Sequence, residues 1–185
     1  MIMSSYLQPM RLLLLLVMKV RVIITINSYQ ATFRFAIGGE YDVARAILEQ
    51  KVGFSISIRD RDGNTVLVNG TYNGNDRIIV AILNAGEMHP DINKALYSAV
   101  YDNLNVNTIS SFIRNGSDVN WTPEDNDPVL VLAIGNNASI ETINLLVSKG
   151  ADITYQVNGE QLLLDYAIEN SHTEALELLR SLSIN

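Results

Sequence analysis

The sequence predicts an all-α solenoid of about five helix–turn–helix repeats joined by hairpin loops. Two C-terminal segments, 111–120 and 144–154, share one pattern: an apolar helix end, a polar pair, a glycine, a small residue, an aspartate and a β-branched residue. Their glycines, Gly116 and Gly150, are 34 residues apart. Small residues recur along the chain at spacings of 34, 29, 34 and 34, at Ala36, Gly70, Ala99, Ala133 and Ala167. A fixed period of this length is typical of stacked repeats.

The first helix of each predicted repeat carries the small residue near its end. A leucine stands three residues before it in four repeats, at Leu67, Leu96, Leu130 and Leu164. The small residue allows two antiparallel helices to approach closely, and the leucine fills the layer between neighbouring repeats. These positions are therefore predicted to be buried.

The second helices are indicated by apolar residues at helical spacing, such as Ile79, Ile82 and Leu83. Glycines that accept a left-handed backbone are predicted to end three of these helices, at Gly86, Gly116 and Gly150. The interval of 29 falls between Gly86 and Lys94, so we expect a truncated hairpin at 87–93. The first repeat departs from the pattern, because its glycine stands one place late.

These segments resemble the ankyrin repeat, whose second helix ends in a Leu-Leu-x-x-Gly-Ala-Asp-Val-Asn pattern. The Thr-Pro-Leu-His-x-Ala opening of that repeat is degraded here, but its frame survives in segments such as 65–70 and 128–133. The resemblance covers about residues 29–183. It implies an ankyrin-repeat solenoid that binds another protein and does not catalyse a reaction. No repeat carries the full Thr-Pro-Leu-His, so a less stable solenoid than an idealised ankyrin is expected.

The chain divides into an N-terminal apolar and basic segment, 1–28, and a repeat domain, 29–185. The uncharged apolar run from Leu12 to Met18 is far shorter than the roughly 20 residues that cross a bilayer, so no membrane span is predicted. Three alternatives remain for residues 1–28: a cap on the first repeat, a weak secretion signal, or a start of translation further along. The expected compartment is the cytoplasm, with secretion or the periplasm as the alternative.

The sequence shows no recognisable catalytic or metal-binding motif, so the chain is not predicted to be an enzyme. The chain has no cysteine and two histidines, so no metal, cofactor or catalytic residue is assigned. His89 and His172 are both predicted to be exposed turn residues. Asp60 to Asn64 superficially resembles a calcium loop, but its glycine is fourth and Thr71 occupies the twelfth place, where such a loop has a glutamate. We therefore interpret it as a hairpin between repeats.

Charge is distributed unevenly along the chain. Residues 1–59 contain seven Lys/Arg against three Asp/Glu, whereas the rest contains six against seventeen. An acidic body repels phosphate backbones, so nucleic acid is not an expected partner. It attracts a basic protein, with an association rate that falls as salt is added.

The resemblance also implies where a partner binds, because ankyrin folds use hairpin tips and exposed first-helix positions on the concave side. The positions that this maps to are mostly aromatic or acidic: Arg61, Asp62, Tyr72, Tyr101, Asp102, Trp121, Glu124, Asp125, Asp127, Tyr155, Glu160 and Glu169. Trp121 leads this set, because it follows the repeat turn and is predicted to lie in a hairpin. The alternative interpretation of Trp121 is that it packs under a neighbouring hairpin and does not contact a partner. The alternative for the acidic residues is that they only form a solvated edge of the repeats.

The predicted function is therefore a non-catalytic protein-binding module with a basic partner. A narrower hypothesis is a small inhibitor or immunity-type protein that neutralises a basic toxin or nuclease. One alternative is a structural scaffold that self-associates through the open end of the solenoid, so a monomer or a weak homodimer is expected. The other is an enzyme with an unrecognised pocket of histidine and carboxylates.

Overall fold

The computed structural model describes residues 59–84, 91–124 and 126–183. Within them are eight helices and one short antiparallel hairpin. The helices are α1 (Val66–Tyr72), α2 (Asp76–Leu83), α3 (Ile92–Tyr101), α4 (Val106–Arg114), α5 (Val129–Gly135), α6 (Ile140–Ser148), α7 (Leu163–Glu169) and α8 (Thr173–Ser183). The strands β1 (Gln156–Val157) and β2 (Gln161–Leu162) pair just before α7.

The helices form two stacked layers. Consecutive helices pack as the pairs α1–α2, α3–α4, α5–α6 and α7–α8. The odd-numbered helices stack on one another in one layer and the even-numbered helices in the other. This confirms the all-α solenoid. The repeat predicted before residue 59, the segment 1–28 and most of the truncated hairpin lie outside the described residues, so the count of five repeats stays a prediction.

The core follows the predicted small-residue and leucine positions. Ala99, Ala133 and Ala167 are fully buried, and so are Leu67, Leu96 and Leu130. At Gly70, a β-carbon would come within 3.3 Å of Ile79 Cγ1 on the paired helix, so a small residue is required for the close approach of α1 and α2. Leu164, in the last pair, is half-buried.

Local signals set the helix ends. Thr65, Asn75, Asn105 and Ser139 precede α1, α2, α4 and α6, and each accepts a hydrogen bond from a backbone N–H of the first turn. Gly116 and Gly150 follow α4 and α6 with φ of +97° and +89°. These two glycines therefore end their helices in the left-handed conformation that the sequence predicts.

The segment Asp60 to Asn64 is a tight turn, closed by a bridge between Arg59 and Thr65. The Asp60 carboxylate accepts hydrogen bonds from the backbone N–H groups of Asp62 (2.9 Å) and Asn64 (2.8 Å), and from Asn69 Nδ2 (2.7 Å). Desolvation, the largest single influence, raises the pKa of Asp60, but these hydrogen bonds together hold the pKa below its ordinary value. The carboxylate thus organises this turn, in the segment that the sequence analysis interpreted as a hairpin between repeats.

Asparagine side chains join successive hairpins. Asn120 Nδ2 donates to Gly150 O (2.9 Å), while its Oδ1 accepts from the N–H of Asp152 (2.8 Å). One repeat earlier, Asn93 Oδ1 accepts from the N–H of Asp118 (2.8 Å). These contacts span 25 to 32 residues, so they fix the position of one repeat on the next.

His172 is not an exposed turn residue, and that prediction was wrong. Its side chain is 3 % exposed, because it packs between the last two helix pairs. Nε2 lies 2.9 Å from Ala138 O, and Nδ1 accepts a hydrogen bond from the N–H of Ala175 (3.3 Å) in the first turn of α8. The residue caps a helix and ties one repeat to the next. His89 lies outside the described residues.

Candidate functional site

An open groove of about 350 Å³ lies on the side of the odd-numbered helices. Its walls come from the end of α1, from one side of α3 and from the segment that precedes α5. The lining residues are Tyr72, Lys94, Tyr97, Ser98, Tyr101, Trp121, Pro123 and Asn126. Three of the predicted partner-binding residues, Tyr72, Tyr101 and Trp121, therefore meet in one groove.

Tyr72 and Tyr101 occupy the same place in consecutive repeats, two residues after Gly70 and Ala99. Each is the last residue of its helix, and the side chains are 53 % and 60 % exposed. An exposed apolar patch formed by several large side chains often marks an interaction site. The repeat period, not a single local signal, brings the two rings to one side of the groove.

The position of Trp121 agrees in part with both interpretations made from the sequence, a partner-binding residue and a residue packed against its neighbours. It belongs to the segment before α5, yet it is half-buried and packs against α3. Its ring and that of Tyr97 form an edge-to-face pair, with centroids 6.4 Å apart and planes at 79°. Such a pair stabilises the position of the tryptophan, which leaves it held in place at the groove.

Sequence reasoning missed Tyr97. The equivalent residues in the flanking repeats are Val68 and Val131, both buried in the core. A tyrosine is longer than valine, so its ring extends past the core and reaches the groove. An aromatic residue at a position that both flanking repeats fill with valine was the signal that could have found it.

Charged groups border these rings. Asp127 accepts a hydrogen bond from Tyr155 Oη (3.0 Å), and this bond raises the pKa of Tyr155. Desolvation first, and then the negative charge of Asp127, raise the pKa of Tyr97. Lys94, which the sequence analysis did not select, lines the groove and donates from Nζ to Asn64 Oδ1 (2.8 Å).

The remaining predicted residues lie elsewhere or at the edge. Arg61 and Asp62 are exposed in the turn before α1, and Glu160 and Glu169 are exposed in the last repeat. None of these four residues lines the groove. Asp102 follows α3 directly, and desolvation raises its pKa. Glu124 is exposed between the groove residues Pro123 and Asn126, while Asp125 lies outside the described residues.

The surroundings of His172 and of the acidic side chains can be compared with what a catalytic or metal site needs. Both ring nitrogens of His172 are engaged by backbone groups, so this histidine is not available to a substrate. Among the described residues no group of three His, Asp or Glu side chains is placed to hold a metal ion. None of the helices in those ranges is long and apolar enough to span a bilayer.

Stacked antiparallel helix pairs with hairpins on one edge define a helical-repeat solenoid. A family model of ankyrin repeats, in three copies, matches residues 96–185, which contain α3 to α8. Residues 96–185, just under half of the chain, are therefore assigned to the ankyrin-repeat family. No curated protein matches the chain. Ankyrin repeats are generally protein–protein interaction modules, and the family is typically non-enzymatic.

Proposed function

We propose that this chain is a non-catalytic module that binds a basic protein through its concave groove. The observation that carries the proposal is the pair of exposed rings, Tyr72 and Tyr101, in one groove with Trp121. Tyrosine and tryptophan are enriched among the residues that contribute most to protein interfaces, because they bury a large area at low entropic cost. The structure also holds Trp121 in place, which limits the entropy lost on binding.

The sign of the partner's charge is inferred from the carboxylates around the groove. Glu124 and Asp127 flank it on the hairpin side, and Asp102 follows Tyr101 at the end of α3. The chain from residue 60 onward carries six basic and seventeen acidic residues, so its field attracts cations at long range. A small inhibitor or immunity-type protein that neutralises a basic toxin or nuclease is the narrower form of this proposal.

The test is affinity purification from the native source at low and high salt, with three forms of the full chain. The groove variant combines Trp121→Ala with Glu124→Lys. The control variant combines Leu162→Ala with Glu177→Lys, two exposed residues of the last repeat that make the same kinds of change outside the groove. Circular dichroism verifies that all three forms are folded.

We expect one protein to be retained by the wild type and the control at low salt, and to be lost from the groove variant. High salt should weaken its retention, because screening reduces attraction between exposed charges. Retention of the same protein by the groove variant would show that the face is misassigned. Absence of any salt-sensitive protein partner would count against a basic partner.

A further inference from the structure

Four aromatic side chains line the groove: Tyr72, Tyr97, Tyr101 and Trp121. The faces of aromatic rings carry negative charge density, so a groove lined by several rings attracts a cation. Two of the rings, those of Tyr72 and Tyr101, are more than half exposed. A ligand can therefore reach them without any rearrangement of the solenoid.

The edge-to-face pair leaves further ring surface for a ligand. With the two planes at 79°, the edge of one ring meets the face of the other. The ring that presents its edge keeps both of its own faces clear of that contact. Tyr97 and Trp121 therefore stabilise each other without using all of their faces.

The electrostatic surroundings also favour a cation. Asp127 lies one residue after Asn126, which lines the groove, and its negative charge raises the pKa of Tyr97 in addition to desolvation, the larger cause. Lys94 has the opposite sign, and its ammonium group donates a hydrogen bond to Asn64 Oδ1 (2.8 Å), which directs it towards the preceding hairpin. Glu124 and Asp127, in the segment before α5, supply the negative charge that attracts a cationic ligand.

We propose that the groove binds an arginine side chain presented by the basic partner. This inference rests on the proposed function, and it names the group that the groove recognises. Arginine fits better than lysine, because its planar guanidinium stacks on aromatic rings and its fork of N–H groups matches a carboxylate such as Glu124. Lysine offers a compact, strongly hydrated charge that stacks less well.

The chain has one tryptophan, so the indole N–H of Trp121 gives a single resonance that reports on the groove. The probes are three glycine pentapeptides with arginine, lysine or citrulline at the centre, titrated at millimolar concentration. Citrulline keeps the shape of arginine and removes its charge. We expect the arginine peptide to shift the indole resonance saturably, and the citrulline peptide to bind about 2- to 30-fold more weakly, the range for a cation over an aromatic face.

A variant separates ring recognition from simple burial. Tyr101→Leu keeps an apolar side chain but removes the aromatic face, and should weaken arginine-peptide binding by about 2- to 30-fold. Leu162→Ala, which changes an exposed residue outside the groove, should leave the affinity unchanged. Retained thermal stability of Tyr101→Leu excludes a folding defect as the cause.

Equal binding of the arginine and citrulline peptides, or no shift with arginine, would overturn the inference. If a natural partner nevertheless depended on Trp121, the proposed function would stand and arginine recognition alone would be wrong. Selective arginine binding together with a partner that ignores the groove would instead support the recognition site and contradict the proposed function.

Discussion

Replacing His172 by alanine tests whether this buried ring joins the last two repeats. Because the N–H of Ala175 donates to Nδ1, the ring's proton resides on Nε2, which donates to Ala138 O. The substitution removes both hydrogen bonds at a site that is 3 % exposed. Loss of a helix cap costs about 0.5–2 kcal/mol, and leaving a buried carbonyl unsatisfied costs about 1–3 kcal/mol. We expect the free energy of unfolding to fall by roughly 2–4 kcal/mol.

The measurement is urea unfolding followed by circular dichroism, with His172→Asn as the second variant. Asparagine is an effective cap but is shorter than histidine, so it should recover about 1 kcal/mol from the cap and nothing from Ala138. A solenoid is stabilised largely by contacts between neighbouring repeats, so the last helix pair should unfold first. A loss below about 1 kcal/mol in the alanine variant, well under the two contributions combined, would refute the reasoning.

Two further predictions follow from local geometry and charge. Gly135→Ala places a β-carbon 2.6 Å from Tyr166 Oη, so it should destabilise the solenoid by about 1–3 kcal/mol, and Tyr166→Phe should restore much of that loss in thermal unfolding. Desolvation raises the pKa of Asp60, but hydrogen bonds hold it below its ordinary value, and hydrogen bonds from Thr154 lower the pKa of Asp152. The ionised forms of both carboxylates therefore stabilise the fold above about pH 4, and this stabilisation should be lost as the pH falls further. Desolvation raises the pKa of Asp102, so its ionisation destabilises the folded state and its effect on stability against pH has the opposite sign. Asp152→Asn should therefore flatten the acid limb of stability against pH, and an unchanged limb would contradict this assignment.

The groove was partly predictable from the sequence. Tyr72 and Tyr101 follow Gly70 and Ala99 at one repeat position, so the period alone places them on one face. Tyr97 could not be assigned in the same way, because its position is occupied by buried valines in neighbouring repeats. Whether a larger ring there stays in the core or reaches the groove depends on its packing with Trp121, 24 residues further along.

His172 shows the same limit. A polar residue between Ser171 and Thr173 is locally typical of a turn, and the turn prediction was correct. Its burial depends on Ala138, 34 residues earlier, which presents a carbonyl oxygen only once the repeats are stacked. Local composition suggests that His172 is exposed, but its contact with the preceding repeat buries it.

By itself, the sequence determined the repeat and the ends of two of its second helices. Glycines such as Gly116 and Gly150 act through the backbone geometry of their own repeat, and the small residues and leucines recur at one repeat position, so both can be recognised from the period alone. The tertiary structure decided the contacts between repeats: the hydrogen bonds of Asn120, the burial of His172 and the joining of Tyr97 to Trp121. Each of these needs two groups that are far apart in the chain, and stacking of the helix pairs is what brings them within bonding distance.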